Sequence, residues 1–263
     1  MSKDLEISDL ETAGLQAVDR FLSTFNSRDI MAWADSLHFP HVRPAHAGQI
    51  TVFESMQHYV EAFNFDRVIA TGWDHSEWDY KHALHFSSKK VHVAGQWSRY
   101  TTTGEKLLST PIVYIVTYQQ GQWGIQSRFS SDYVSDDMDN GITTEMETRC
   151  FALIHDFINR ANEGNHAACA ELINYPHFAI GKDKLDCSKD GSELDLPSGH
   201  ITVNSLYAIQ TGMHSMNAAL DINLNIGGTH HQRHIVLNIS KRNNHLGIQA
   251  WSALDPTVKQ VTA

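Results

Sequence analysis

The side chains best suited to chemistry in the first half of this chain are one histidine and three arginines. His41 and Arg43 lie in HFPHVRPAHAG (38–48), Arg99 in QWSRYT and Arg128 in GIQSRF. An imidazole titrates near neutral pH and suits general acid or base work. A guanidinium holds a carboxylate through paired hydrogen bonds or stabilises a developing oxyanion. On alternating strands Trp97 shares a face with Arg99, and Gln126 with Arg128. An inward arginine there needs an anionic or polar partner from the protein or from a ligand carboxylate. The candidate catalytic set is therefore His41, Arg99 and Arg128, as acid, base or oxyanion support. Trp33, Arg43, Tyr59, Phe63, Trp97 and Tyr114 are the candidate lining of a pocket. The competing reading, arginines pointing outward from a sheet face that meets the other half of the chain, stays open.

His41 has a twin. NYPHFAIG (174–181) places Pro176 and His177 where the first half has Pro40 and His41, a shift of 136 residues from 40 to 176. A histidine at the same place in both halves favours a shared structural task, such as bonding the backbone after the proline, over catalysis. Other groups offer less. His82-x-x-His85 and HHQRH (230–234) contain the commonest metal ligand. Neither has a cysteine or carboxylate at ligand spacing, and on a strand His82 and His85 face opposite ways, so no metal and no cofactor is expected. Cys150, Cys169 and Cys187 have no paired spacing and fit reduced thiols of a cytoplasmic protein.

Charge and hydropathy narrow the partners. Thirty acidic against twenty basic residues give a net charge of -10, the wrong sign for a phosphate backbone, so nucleic acid is not an expected partner. No apolar run approaches the ~20 residues that cross a bilayer. The N-terminal MSKDLEISDLETAGLQ lacks the apolar core of a secretory signal. A cytoplasmic location with no membrane association is the expectation.

The elements that must position these residues are written twice. At the shift of 136, Phe21 meets Phe157, Asn26 meets Asn162, Ala34 meets Ala170 and Phe39 meets Tyr175. Leu15, Val18, Leu22 and Phe25 form one helical stripe, repeated by Phe151, Ile154, Ile158 and Ala161. Ser8 with Glu11, and Thr144 with Glu147, read as capping boxes that start the two helices. Asp29 and Asn165 read as N-caps of a short second helix. Next, GQITV (48–52) aligns with GHITV (199–203) at a shift of 151. That alignment makes the polar stretch 182–193 an extra loop. GIQ recurs at 124 and 247, a shift of 123, so the second copy is expected to have lost one strand and its turn.

Residues 54–65 read as a third helix. Residues 73–87, 90–101, 109–119 and 122–131 read as meander strands separated by turn residues. The fold class is α+β, with helices on one face of a curved, mainly antiparallel sheet. The expected organisation is a first domain over 1–132, an acidic linker over 133–143, a shortened second domain over 144–256, and a tail over 257–263.

With FPHVRPAHAGQITVF, WSRYTTTGEK and YIVTYQQGQWGIQSRF in this order after two helices, the first half resembles the SnoaL-like branch of the nuclear transport factor 2-like superfamily, the cystatin-like α+β cones. The resemblance covers nearly all of residues 8–132 and is weaker over 144–255. It implies two tandem cone-shaped domains, the first with a largely apolar pocket between helices and concave sheet, while a cavity in the second stays open. Its members include ketosteroid isomerases, scytalone dehydratases, epoxide hydrolases, polyketide cyclases and non-catalytic binding modules, so fold alone assigns no activity. The Asp base of the isomerases and the Arg with two Asp of the epoxide hydrolases find no match here. Members commonly pair sheet to sheet, which implies either pairing of the two domains within the chain as a pseudo-dimer or a homodimer. The expected function is binding of a small hydrophobic or carboxylate-bearing molecule in the first domain, with isomerase, dehydratase or cyclase chemistry there. The alternative is a non-catalytic binding or assembly module. The second domain is expected to be mainly structural.

Overall fold

The computed structural model describes residues 7–44, 50–132, 140–181, 184–194, 196 and 199–254. Helix α1 (Ile7–Asn26) buries Leu10, Val18, Phe21, Leu22 and Phe25, the apolar stripe of its sequence. Helix α2 (Ile30–Asp35) starts where the Asp29 carboxylate accepts from the backbone N–H groups of Met31 and Ala32. Strands β1 (Leu37–Pro44) and β2 (Ile50–Phe53) follow. Two short helices come next, α3 (Met56–Ala62), capped by Ser55, and α4 (Phe65–Ile69), capped by Asn64. The meander is β3 (His75–Ser87), β4 (Lys90–Tyr100), β5 (Lys106–Gln119) and β6 (Gln122–Ser130).

The second half repeats this plan with α5 (Asn140–Asn162), α6 (His166–Ala170), β7 (Ile173–Ile180) and β8 (Leu185–Ser188). After a 3-10 turn at Gly191–Glu193 come β9 (His200–Thr211), β10 (Ser215–Ile226), β11 (Thr229–Arg242) and β12 (His245–Leu254). The sheet orders match: β2-β1-β6-β5-β4-β3 and β8-β7-β12-β11-β10-β9. In each sheet one pairing is parallel, β1 with β6 and β7 with β12, and the other pairings are antiparallel. The chain is thus an α+β cone in tandem duplicate.

Several expectations need correction. The second copy has lost no strand. GHITV opens β9, the equivalent of β3, and the counterpart of β2 is β8, which lies in the stretch read as a loop. The shift between copies falls from 135 at β2 and β8 (50 to 185) to 123 at β5 and β11 (106 to 229). About a dozen residues are therefore missing, and what is missing is α3 and α4. The GxITV likeness was misleading because glycine followed by β-branched residues describes the start of many strands. Neither proposed capping box starts a helix: α1 is already helical at Ile7, and Thr144 lies inside α5, its carbonyl accepting from Thr148 Oγ1 at 3.0 Å. Of the linker read over 133–143, residues 133–139 lie outside the described residues, and the rest belong to α5. The tail 257–263 also lies outside them.

Each domain has a core between helices and sheet, with Phe21, Trp33, Tyr59, Tyr114 and Ile125 in the first and Ile154, Ile158, Leu220, Leu237 and Ile248 in the second. A third core joins the outer faces of the two sheets. It contains Val42, Val113, Ile115 and Phe129 from the first domain, against Phe178, Ile180, Val236 and Ala250 from the second. Polar groups bridge the same interface. Lys90, 1% exposed, donates from Nζ to the carbonyls of Ile180 (2.5 Å) and Ala253 (3.0 Å) and to Ser252 Oγ (3.2 Å). Gln210 donates to the Gly95 and Ile112 carbonyls, and Asn217 to that of Phe129. Among the described residues, no helix is long and apolar enough to cross a membrane.

Candidate functional site: two unequal cavities

The aromatic-Pro-His segments do the same structural work in both domains. His41 Nδ1 donates to the Ile125 carbonyl at 3.0 Å, and His177 Nδ1 to that of Ile248 at 3.4 Å. Gln126 Nε2 donates to the Pro40 carbonyl, and Gln249 Nε2 to that of Pro176 at 2.9 Å. Each pair ties the first strand of its sheet to the last. With Nδ1 protonated and donating, Nε2 of each histidine carries a lone pair.

What faces that lone pair differs. In the first domain Arg128 Nε lies 3.4 Å from His41 Nε2 and donates to it. Burial first, then the charges of Arg128 and Arg43, hold the His41 imidazole well below its usual pKa, so it stays neutral. His41 is fully buried behind the arginine and does not line the cavity. The cavity itself is small, about 110 Å³, and Arg43, Arg99 and Arg128 all line it with Trp33, Phe63 and Trp97. The Arg128 guanidinium carbon lies 4.8 Å from the centre of the Phe21 ring, and that of Arg99 lies 5.5 Å from Trp97. The two arginines therefore point inward, under the helices and away from the interface between the sheets. Among the described residues, no carboxylate lines it. Arg128 Nη2 and Thr110 Oγ1 are buried without a hydrogen-bond partner. Tyr59 and Tyr114, read as lining, instead fill the core behind this wall, where burial raises the pKa of both phenols.

In the second domain the position of Arg128 is taken by Trp251, and the cavity is about 510 Å³. Its walls come from α5 (Ile154, Phe157, Ile158) and from the sheet (Leu220, Ile222, Leu237, Ile248). Two causes enlarge it. Helices α3 and α4, which bring Tyr59, Phe63, Phe65 and Val68 into the first core, have no counterpart among the described residues here. In addition, Phe25, Trp33, Trp97 and Tyr114 are matched by the smaller Ala161, Cys169, Ile222 and Leu237. His177, 1% exposed, lines this cavity, and its Nε2 has no hydrogen-bond partner. Burial lowers its pKa to about 4, outweighing the hydrogen bonds to Ile248 and Gln249 that raise it. At neutral pH it is an acceptor in an apolar wall. Among the described residues, Lys184, Asp186, Glu193 and Arg233 are the charged members of the lining.

The size of the second cavity was not anticipated, because it arises from residues that are absent or reduced. The signal was present in the repeat, since aligning the copies strand by strand exposes the run of aromatic-to-small replacements.

Residues 15–132 match the family model described as NTF2-like protein (DUF6841). No curated protein matches the chain. Similar solved structures include a protein of unknown function with a cystatin-like fold from Nostoc punctiforme, 11% identical, with a TM-score of 0.41 and covering 51% of this chain and 96% of that one. A ketosteroid isomerase-like protein from Erwinia carotovora atroseptica is 18% identical, with a TM-score of 0.39, covering 49% and 99%. A Catenulispora acidiphila protein in complex with S-DNPA is 11% identical, with a TM-score of 0.38, covering 46% and 90%.

Proposed function

We propose that this chain, whose residues 15–132 match the NTF2-like family model, binds a small apolar molecule in the cavity of the second domain. The observation that carries this reading is the unpartnered Nε2 of His177 in the wall of a 510 Å³ apolar cavity. A buried acceptor without a partner is costly, and a ligand hydroxyl or N–H removes that cost. The cavity volume suits a ring compound of drug-like size.

The test is thermal unfolding and tryptophan fluorescence of the full chain with a panel of steroid and polyketide-type phenols, each beside its deoxy analogue. Trp251 reports on occupancy. A ligand at 100 times its dissociation constant adds about 2.7 kcal/mol, a rise of several degrees for a domain of this size. His177→Phe weakens the phenols about tenfold and leaves the deoxy analogues unchanged. Equal weakening of both sets, or no binding by any of the panel, overturns the reading.

A second reading rests on the arginines of the first cavity. The unpartnered Nη2 of Arg128, in a cavity whose described lining holds three guanidiniums and no carboxylate, favours a small carboxylate or similar anion there. In this reading Arg99 and Arg128 hold the anion, and His41 positions Arg128. Isomerase, dehydratase or cyclase chemistry in this domain would use the same arginines as oxyanion support. The pairing of the two sheets across Val113, Phe129, Phe178 and Val236 supports an intramolecular pseudo-dimer.

A further inference from the structure

Away from both cavities, His85 on β3, Asp221 on β10 and His234 on β11 bring three ligand atoms within 4.8 Å of one another. The set draws on both domains. Asp221 and His234 are cross-strand neighbours, and docking of the sheets stacks the His85 ring on that of His234 with centroids 4.9 Å apart. Asp221 Oδ1 lies 2.6 Å from His234 Nδ1 and 3.7 Å from His85 Nε2.

The hydrogen bonds behind His85 fix which of its nitrogens faces the carboxylate unprotonated. Ser252 Oγ donates to the Ile180 carbonyl at 3.2 Å and so accepts from His92 Nε2 at 2.9 Å. A neutral His92 then has only a lone pair at Nδ1, and His85 Nδ1 donates to it at 3.1 Å. His85 Nε2 is left presenting a lone pair to a carboxylate oxygen, too far for a hydrogen bond and of the same sign. The His85 side chain is 6% exposed, so water screens this opposition poorly. A cation between the two atoms converts it into two bonds.

We propose that His85, Asp221 and His234 form an interdomain site for a divalent metal, with zinc as the best fit. Two imidazoles and one carboxylate are a zinc ligand set, and bonds of 2.0–2.1 Å place tetrahedral donors about 3.3 Å apart. The separations of 2.6 and 3.7 Å bracket that value. Ser205 Oγ donates to Asp221 Oδ2 at 2.7 Å and leaves Oδ1 for the metal, while His92 orients His85 from behind. The Asp221 and His234 side chains are 25% and 20% exposed, so water supplies the fourth ligand, and as the metal binds Nδ1 of His234 the ring changes tautomer, its proton passing by way of solvent from Nδ1 to Nε2. Docking alone does not call for these side chains. At the equivalent positions of the other domain stand Gln210, Gln96 and Pro111, and there Gln210 closes the interface with amide hydrogen bonds to the Gly95 and Ile112 carbonyls.

The test is titration of cobalt(II), as a spectroscopic substitute for zinc, into the EDTA-treated full chain. The expected result is one equivalent giving the visible absorption of a tetrahedral site, bleached by zinc, with a metal-dependent rise of several degrees in Tm. Asp221→Asn and His234→Gln, both at the solvent side of the site, each remove the absorption and the Tm rise, whereas His231→Gln keeps both. Absence of the one-equivalent absorption in the parent chain, or its persistence in both variants, overturns the proposal.

Discussion

The Trp251 ring lies with its centroid 4.2 Å from that of His177, at the position where the first domain sets Arg128 against His41. This exchange accompanies the missing α3 and α4 and the aromatic-to-small replacements in turning a cramped cationic cavity into a roomy apolar one. The difference is chemical as well as spatial, because Arg128 donates to the histidine it faces and Trp251 leaves Nε2 of its histidine without a partner.

Arg128→Leu keeps the apolar contact with Phe21 and removes the donor to His41. The variant should lose any Tm rise produced by small carboxylates in the parent chain, with affinity falling at least tenfold, as for loss of one charge-assisted hydrogen bond. Phenol binding in the second domain should be unchanged. Calorimetric titration of both ligand classes into both proteins checks this.

Lys90→Met preserves most of the side-chain volume and deletes the ammonium that joins the sheets. The Ile180 and Ala253 carbonyls lose a donor at a buried interface, and a cost of about 2–4 kcal/mol is expected. Urea unfolding should show the loss as a lower midpoint. If the sheets depend on this contact for coupling, one transition separates into two.

His177 links stability to pH. Its folded pKa of about 4 lies below the usual 6.5, so the unfolded chain binds the extra proton between these values. The contribution is complete above pH 6.5, declines as pH falls from 6.5 towards 4, and amounts to about 3 kcal/mol once lost. His38, whose pKa burial and Arg20 lower to about 4, adds a slope of the same sign. Urea unfolding at pH 7, 5.5 and 4.5 should show the decline, and His177→Gln should flatten it by about one proton.

The α+β class, the doubling and the strand order of the meander were legible because they rest on local signals: the Val18 and Ile154 stripes, the Asp29 and Asn165 caps, and turns such as Gln120-Gly121. The inward direction of Arg99 and Arg128 was not legible, since alternation along a strand gives two faces and does not say which one meets the helices. Short likenesses also misled, as GHITV did, because β-branched runs recur wherever strands start. Most hidden was the group of His85, Asp221 and His234. Ligand spacing in a sequence reveals sites built on one turn or one hairpin, whereas these three side chains meet only after two separately folded sheets have docked.

The docking of two sheets within one polypeptide has a consequence for how such a protein can change. In a symmetric assembly of identical subunits a single codon sets the residue in both cavities, so a mutation that suits one is imposed on the other. Here codon 128 and codon 251 vary independently, and the two halves can specialise while each goes on serving as the other's scaffold.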